Sequence, residues 1–410
     1  MVHLTSLEER LEILGRDGME DREGRAFRPA SGAKGALTGI VPVQGPGGRV
    51  LPLMRVMVSN ACSFSCGYCP LRAGRTVRRA ALTPEEVGEA FMALHRRGLA
   101  SGLFLTSGIP GSPVRMMDRM LVAAEWLRRR HGYRGYLHLK LLPGAEPAQV
   151  EEAGRLASRL SVNLEAPDDR YLARLAPEKR LREDLLPLLR LSGALSRTAR
   201  AEGRPETAVP AGVTTQFVVG ASGESDREVL SLVADLEREH LLHHAHFSHF
   251  VPVADTPLEG LPEAPAARER RLYQAEYLLR RYGFGLADLP FDAAGNLPLA
   301  LDPKGAWAAA HPEAFPVDLL RAPRETLLRV PGVGPRAAAR LLVARRQGPP
   351  RGERDLARLG VRAAAAAPYV TLGGRRLAAA ARPRQLPLLS PTLHPPGPPR
   401  RTDTPPCAFR

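Results

Sequence analysis

LMRVMVSNACSFSCGYCPLR, residues 53–72, is the stretch whose reading decides the fold. Its first part, residues 53–60, is apolar and reads as a strand. The strand runs straight into a loop carrying Cys62, Cys66 and Cys69 in a C-x3-C-x2-C spacing. The chain has four cysteines in all, and the fourth, Cys407, lies three residues from the C-terminus. Thiolates spaced in this way in a loop after a strand can ligate three irons of a [4Fe–4S] cluster, leaving the fourth iron open to a small molecule. The alternative is zinc, with His95 or Cys407 as fourth ligand; structural zinc, however, prefers paired ligand couples and closed coordination.

Working outward, strands and helices alternate. Strands are expected at 53–60, 102–108, 135–142, 161–166, 214–221 and 244–253. Helices are expected at 83–98, 113–131, 147–159, 178–201, 224–240 and 266–282. This alternation predicts an α/β fold with a parallel sheet, either open or curled into a partial (β/α)6 TIM-like barrel, over residues 49–290. Ligands bind such sheets at the carboxyl ends of the strands, where the cysteine loop sits. Residues 1–48 read as a short helix followed by an irregular Gly-, Pro- and Arg-rich segment. Residues 291–317 read as a proline-punctuated linker, 318–372 as a small all-α domain, and 373–410 as a basic, Pro-rich, largely disordered tail.

Composition narrows the function. The sequence has no apolar run long enough for a transmembrane helix, and its charged amphipathic start does not look like a signal peptide. Three clustered cysteines and a remote one make no disulfide framework, which fits a cytoplasmic protein away from membranes. The chain has 58 basic and 43 acidic residues. Residues 321–410 carry 18 Arg and no Lys against four acids, whereas residues 1–320 are almost balanced. Codon bias accounts for Arg in place of Lys. It does not account for the loss of acids, so the C-terminal end points to a polyanionic partner.

LLRVPGVGPRAAARLLVARR, residues 327–346, adds a structural reason. A short helix, a Pro-Gly-Val-Gly turn and a new helix starting at Pro335 present backbone N–H groups and a helix N-terminus to an anion. Arg336 and Arg340 flank that site. The stretch resembles the helix-hairpin-helix motif, which implies that Gly332, Val333, Gly334, Arg336 and Arg340 grip a DNA backbone without reading sequence. Residues 355–370 resemble a degenerate second hairpin with Gly360 at its turn. QLPLL (Gln385, Leu386, Leu388 and Leu389 with Pro387) resembles a bacterial sliding-clamp-binding peptide.

With Tyr68 just before the third cysteine, the loop resembles the signature of the radical S-adenosylmethionine (SAM) superfamily. The resemblance implies a [4Fe–4S] cluster on Cys62, Cys66 and Cys69, SAM on the open iron, and a 5′-deoxyadenosyl radical that abstracts hydrogen from a substrate. It further implies SAM contacts from Tyr68, from Ser107 and Gly108 at the end of the second strand, and from Lys140. Asn163 and Glu165 are expected at the ribose, and Gly220 near the adenine. The family's common Gly-Gly-Glu form is missing at 105–108, where the chain has LTSG. GLFLTSGI, LAPEK, TTQFVVGASGESD and LDPKGAWAAAHPEAFPVD, together with the hairpin, are similar to the DNA modification or repair radical SAM proteins often encoded beside a uracil-DNA-glycosylase-like protein. That likeness implies double-stranded DNA as partner, an electron donor such as flavodoxin or ferredoxin, and contact with the glycosylase-like protein or the clamp. Radical chemistry on RNA, protein or a small molecule, with the hairpin as scaffold, stays open. So does a non-catalytic DNA-binding iron–sulfur sensor.

Overall fold

The computed structural model describes residues 6–19, 39–44 and 50–377. The expectations for Cys407 and for Gln385, Leu386, Leu388 and Leu389 lie outside them. Compact packing divides the chain between Ala314 and Phe315.

The first unit is built on a seven-stranded sheet in the order β1-β2-β3-β4-β5-β6-β7. Its strands are β1 (Ile40–Gln44), β2 (Val50–Met57), β3 (Gly102–Thr106), β4 (Tyr136–Lys140), β5 (Arg159–Glu165), β6 (Val213–Val219) and β7 (His244–His249). β2 to β7 are parallel and β1 pairs antiparallel with β2. Strand order that follows the chain without reversal is the barrel arrangement; a doubly wound sheet reverses at its midpoint. β1 and β7 do not pair, so the barrel is partial. The helices are α1 (Leu7–Asp17), α2 (Pro84–Arg96), α3 (Pro113–Glu125), α4 (Pro147–Leu156), α5 (Asp169–Leu175), α6 (Leu186–Ala201), α7 (Asp226–Arg238), α8 (Ala266–Tyr282) and α9 (Pro303–Ala310).

Local chemistry sets the starts of these helices. Thr83 and Glu86 form a capping box ahead of Pro84, and Ser225 and Glu228 form another at α7. Leu103, Leu105, Leu137, Leu139, Leu160 and Val162 are fully buried between sheet and helices, as a sheet covered on its outer face requires. Arg10 of α1 holds Glu86 through two contacts of 2.6 and 2.8 Å, fixing the N-terminal helix to α2.

Two expectations need correction here. The irregular segment before residue 48 contains β1. The Gly, Pro and Arg content of the segment hides this strand; its Pro42 lies on an edge strand opposite Pro52, where a missing N–H is tolerated. Residues 291–314 are not a free linker. Asp226 accepts the Leu297 N–H at 2.9 Å, Gly295 accepts the Arg227 N–H at 2.9 Å, and α9 follows, all within the barrel unit.

The second unit contains α10 (Arg324–Arg329), α11 (Pro335–Gln347), α12 (Glu353–Arg358) and α13 (Ala363–Ala366). It is not all-α: β8 (Val317–Asp318), β9 (Val370–Leu372) and β10 (Arg375–Arg376) form a small sheet. Asp318 closes it, accepting from Thr371 Oγ1 at 3.0 Å and from the Gly374 N–H at 2.7 Å. Such two- and three-residue strands leave no alternation to read. The two helix pairs are similar in burial: Leu328, Val333 and Ala338 of the first and Leu356, Val361 and Ala366 of the second are all buried. Gly332 and Gly360 both take left-handed backbone, with φ of 82° and 89°. The Arg362 N–H donates to Gly332 O at 2.9 Å, joining one turn to the other.

Candidate active site

A cavity of about 740 Å³ opens at the carboxyl ends of the parallel strands. The three cysteines line it, as do Tyr68, Ser107, Gly108, Lys140, Asn163 and Glu165. The sequence placed all of these at strand ends, and the fold brings them to one chamber. Gly220 is different. It does not line the cavity; its N–H donates to Glu224 Oε1 at 2.6 Å, and Ala264 packs against its α-carbon.

The cysteine loop is held mainly by its backbone. The Gly108 N–H donates to Ser59 O at 2.7 Å and the Ser63 N–H to Ile109 O at 2.8 Å, tying the loop to the end of β3. Ser107 does not reach into the cavity with a free hydroxyl: its Oγ accepts from the Ser59 N–H at 3.2 Å and donates to Ser59 O at 3.3 Å. Asn60 is fully buried and bonds Asp17 at 2.6 Å, Arg78 O at 2.9 Å and the Ala80 N–H at 2.7 Å. Arg79 donates to the carbonyls of Asn60, Leu71, Arg72 and Arg75 at 2.5 to 3.1 Å. A guanidinium serves as such a hub because its five donors fan out in a plane.

The other side of the loop is fixed by the end of α5 and the segment after it. The Gly67 N–H donates to Leu175 O at 2.7 Å, and the Ser65 N–H to Glu178 Oε1 at 2.7 Å. Lys179 Nζ lies 2.9 Å from Glu165 Oε1, with both side chains almost wholly buried. Glu165 ends β5 at a register shift, in left-handed backbone with φ 64°. A bulge re-aims a side chain in this way, and strained backbone of this kind clusters at functional sites. Glu165 Oε2 is buried and makes no hydrogen bond within 3.5 Å among the described residues, although the Tyr68 phenol faces the same carboxylate. A buried bare carboxylate oxygen is costly unless a ligand donor meets it.

Burial pushes the Cys66 thiol up, with the charge of Lys179 opposing, and pushes Cys69 up to about 12, opposed by the Leu71 N–H and Lys179. Burial, and then the charges of Glu165, Cys66 and Cys69, push the Tyr68 phenol well up, so it stays neutral. Thiols of this kind become ligands only when a metal displaces their protons.

The donor set fits a cluster better than a single ion. Among the described residues no three His, Cys, Asp or Glu side chains are disposed to hold one metal ion. The three thiols line one chamber, and three such thiolates can each take a separate iron of a cluster. His95, the alternative zinc ligand, bonds the Ala100 carbonyl at 2.9 Å and packs on Phe91 and Tyr133. SAM fits the same chamber. Its volume lies within the range of small-molecule sites, and Glu165 Oε2 offers an acceptor for a hydroxyl.

Sequence reasoning missed five residues of this chamber. Asp17, the last residue of α1, and Met19 just beyond it form part of the wall. His249 and Glu269 line the cavity from the last strand and α8; the His249 ring bonds the Glu269 carboxylate through Nδ1, and its backbone N–H donates to the same oxygen at 3.0 Å. Lys179 did carry a signal: only four lysines occur in a chain rich in arginine, and Lys140 and Lys179 both line the cavity. Where arginine is the default cation, a lysine marks a place that needs a compact point charge.

Residues 56–236 match the family model of the Radical SAM superfamily. That segment holds the three cysteines and every residue assigned above to SAM. No curated protein matches the chain. Among solved structures it is similar to HydG, a maturase of the [FeFe]-hydrogenase, at 15% identity over 55% of this chain and 48% of that one, with a TM-score of 0.40. It is similar to methylornithine synthase (PylB) at 18% identity over 55% and 60% of the two chains, with a TM-score of 0.41. A radical SAM methyltransferase from Sphaerobacter thermophilus aligns at 17% identity over 58% and 75%, with a TM-score of 0.39. The match spans about half the length of the maturase and 60% of the synthase.

Proposed function

We propose that this chain, a radical SAM enzyme whose residues 56–236 form the radical SAM domain and whose cofactors are a [4Fe–4S] cluster and SAM, acts on DNA, modifying or repairing a base. The observation that carries the DNA reading is the second unit: two helix pairs joined turn to turn, in a segment with 18 Arg and four acids. When bound, the cluster and SAM supply a 5′-deoxyadenosyl radical for hydrogen abstraction. Cys62, Cys66 and Cys69 would hold the irons. Glu165 Oε2 would accept a ribose hydroxyl, with Asn163 beside it on the same strand. Lys140 would offer its ammonium to the SAM carboxylate, and Tyr68 would wall the site without giving up a proton. Apolar Leu141, Leu142, Phe250 and Val253 line the same chamber and would exclude water.

The hairpin reading gives the second unit its role. Gly332, Val333 and Gly334 form the turn, Val333 is buried as its anchor, and Arg336 and Arg340 stand exposed on the first turns of α11. Backbone amides and the helix N-terminus would meet one phosphate and the arginines its neighbours. A chamber inside a barrel admits one base and not a duplex, so the target base would be extruded from the stack. A low-potential flavodoxin or ferredoxin would supply the electron in the cytoplasm. The glycosylase-like protein and the sliding clamp are further partners of this reading.

Fluorescence anisotropy with a duplex tests it. Arg336→Glu plus Arg340→Glu should weaken binding and lower the salt slope by about 2. Unchanged affinity and slope refute the docking role. Reduced, cluster-loaded protein should cleave SAM to 5′-deoxyadenosine, and nucleosides from cells with and without the gene should differ by one modified species in DNA.

A further inference from the structure

LAPEK, residues 175–179, touches the cysteine loop in two ways that shape it, through Leu175 O and Glu178 Oε1. Its third member does something else. Lys179 lies 2.9 Å from Glu165 Oε1, its side chain only 10% exposed and that of Glu165 3%. It lines the same chamber as Cys66 and Cys69. An ammonium is expensive to bury, and a buried ion pair is weak evidence of stabilisation by itself. Nor is Glu165 spent on its partner, because Oε2 is left bare. The lysine is moreover one of four in an arginine-rich chain.

We propose that Lys179 is a positioning residue for the charge of the cluster: its buried ammonium, fixed by Glu165, stabilises the reduced form and so sets the reduction potential. The cluster gains one negative charge when it takes one electron from an external one-electron donor. A fixed positive charge on an almost wholly buried side chain lowers the energy of that state, and its interactions are screened far less than at a surface. Net charge around a cluster is one of the levers that set its potential. Lys179 also offsets Glu165, whose carboxylate would otherwise oppose reduction. The inference rests on the cluster and is independent of the DNA reading.

The test uses the full chain, reconstituted with iron and sulfide without oxygen and titrated with dithionite and mediators. The readout is the electron paramagnetic resonance signal of the reduced cluster, with no substrate and no turnover. K179M should lower the reduced-to-oxidised ratio at fixed potential about tenfold, which is about 59 mV for a one-electron couple. K179R should stay near the wild type. K179M/E165Q, with both charges removed, should fall between the wild type and K179M. If K179M cannot take up a cluster while K179M/E165Q can, the bare carboxylate is the cause and the charge argument stands, provided that the double variant lies below the wild type. A K179M cluster at the wild-type potential overturns the proposal, as does a double variant shifted as far as K179M; either result reduces the pair to a structural pin.

Discussion

Replacing Gly108 by Ala should loosen the junction that holds the cysteine loop to the barrel. A Cβ at this position would lie 2.3 Å from Ala61 O and 3.0 Å from Ala61 C, against the 3.4 Å at which ordinary contact begins. Neither neighbour can yield cheaply. Ala61 follows Asn60, which is pinned by three hydrogen bonds, and the Ala61 N–H is bonded to Ser59 Oγ at 3.2 Å. Relief of about 1 Å must therefore come from β3, whose end would lose the 2.7 Å bond from the Gly108 N–H to Ser59 O. Overpacking of about 1–3 kcal/mol and a lost buried hydrogen bond of about 1 kcal/mol give a destabilisation of about 2–4 kcal/mol. For a unit of this size that is about 3–6 °C in unfolding temperature. Calorimetry of the unloaded protein measures the first effect, and iron and sulfide content after reconstitution measures the second, which should fall well below that of the wild type. Gly260→Ala is the control: a Cβ there meets nothing within 4 Å. An unfolding temperature equal to the wild type, with full iron content, refutes the account of the junction.

Gly332→Ala should destabilise the second unit by about 2–4 kcal/mol, combining left-handed backbone with a Cβ placed 2.6 Å from Arg362 O. Hydrogen exchange at the Arg362 amide should quicken; unchanged protection would show that the two turns are not coupled. Glu237 offers a pH test. Burial, and then neighbouring Glu276, raise its carboxyl from 4.5 to about 8. Its folded form thus binds a proton that the unfolded chain releases, so stability present below about pH 4.5 is lost as pH rises through 8. Glu237→Gln should flatten that fall in urea midpoints between about pH 4 and 9, a range spanning both values; an unchanged slope places the pH dependence elsewhere.

Much of the molecule was legible in the residues themselves. The strand-to-cysteine junction at 53–72, the alternating elements and the location of positive charge are local patterns, and local patterns survive in one dimension. So the six parallel strands, the three thiols and the turn at Gly332 could be named before any coordinates. Other features depend on which segments become neighbours. Barrel rather than open sheet is fixed by strand order, which periodicity does not encode. The edge strand with Pro42 is permitted only because that side of it is unpaired. The small sheet closed by Asp318 joins residues more than fifty apart. Lys179 meets Glu165 across a turn and a helix, and the Glu165 side chain is aimed by a bulge that depends on β6. Cysteine spacing, with the strand before it, pointed to the metal chemistry the chain carries. The tertiary structure decided which charges surround it, because only packing removes those charges from water and makes them count.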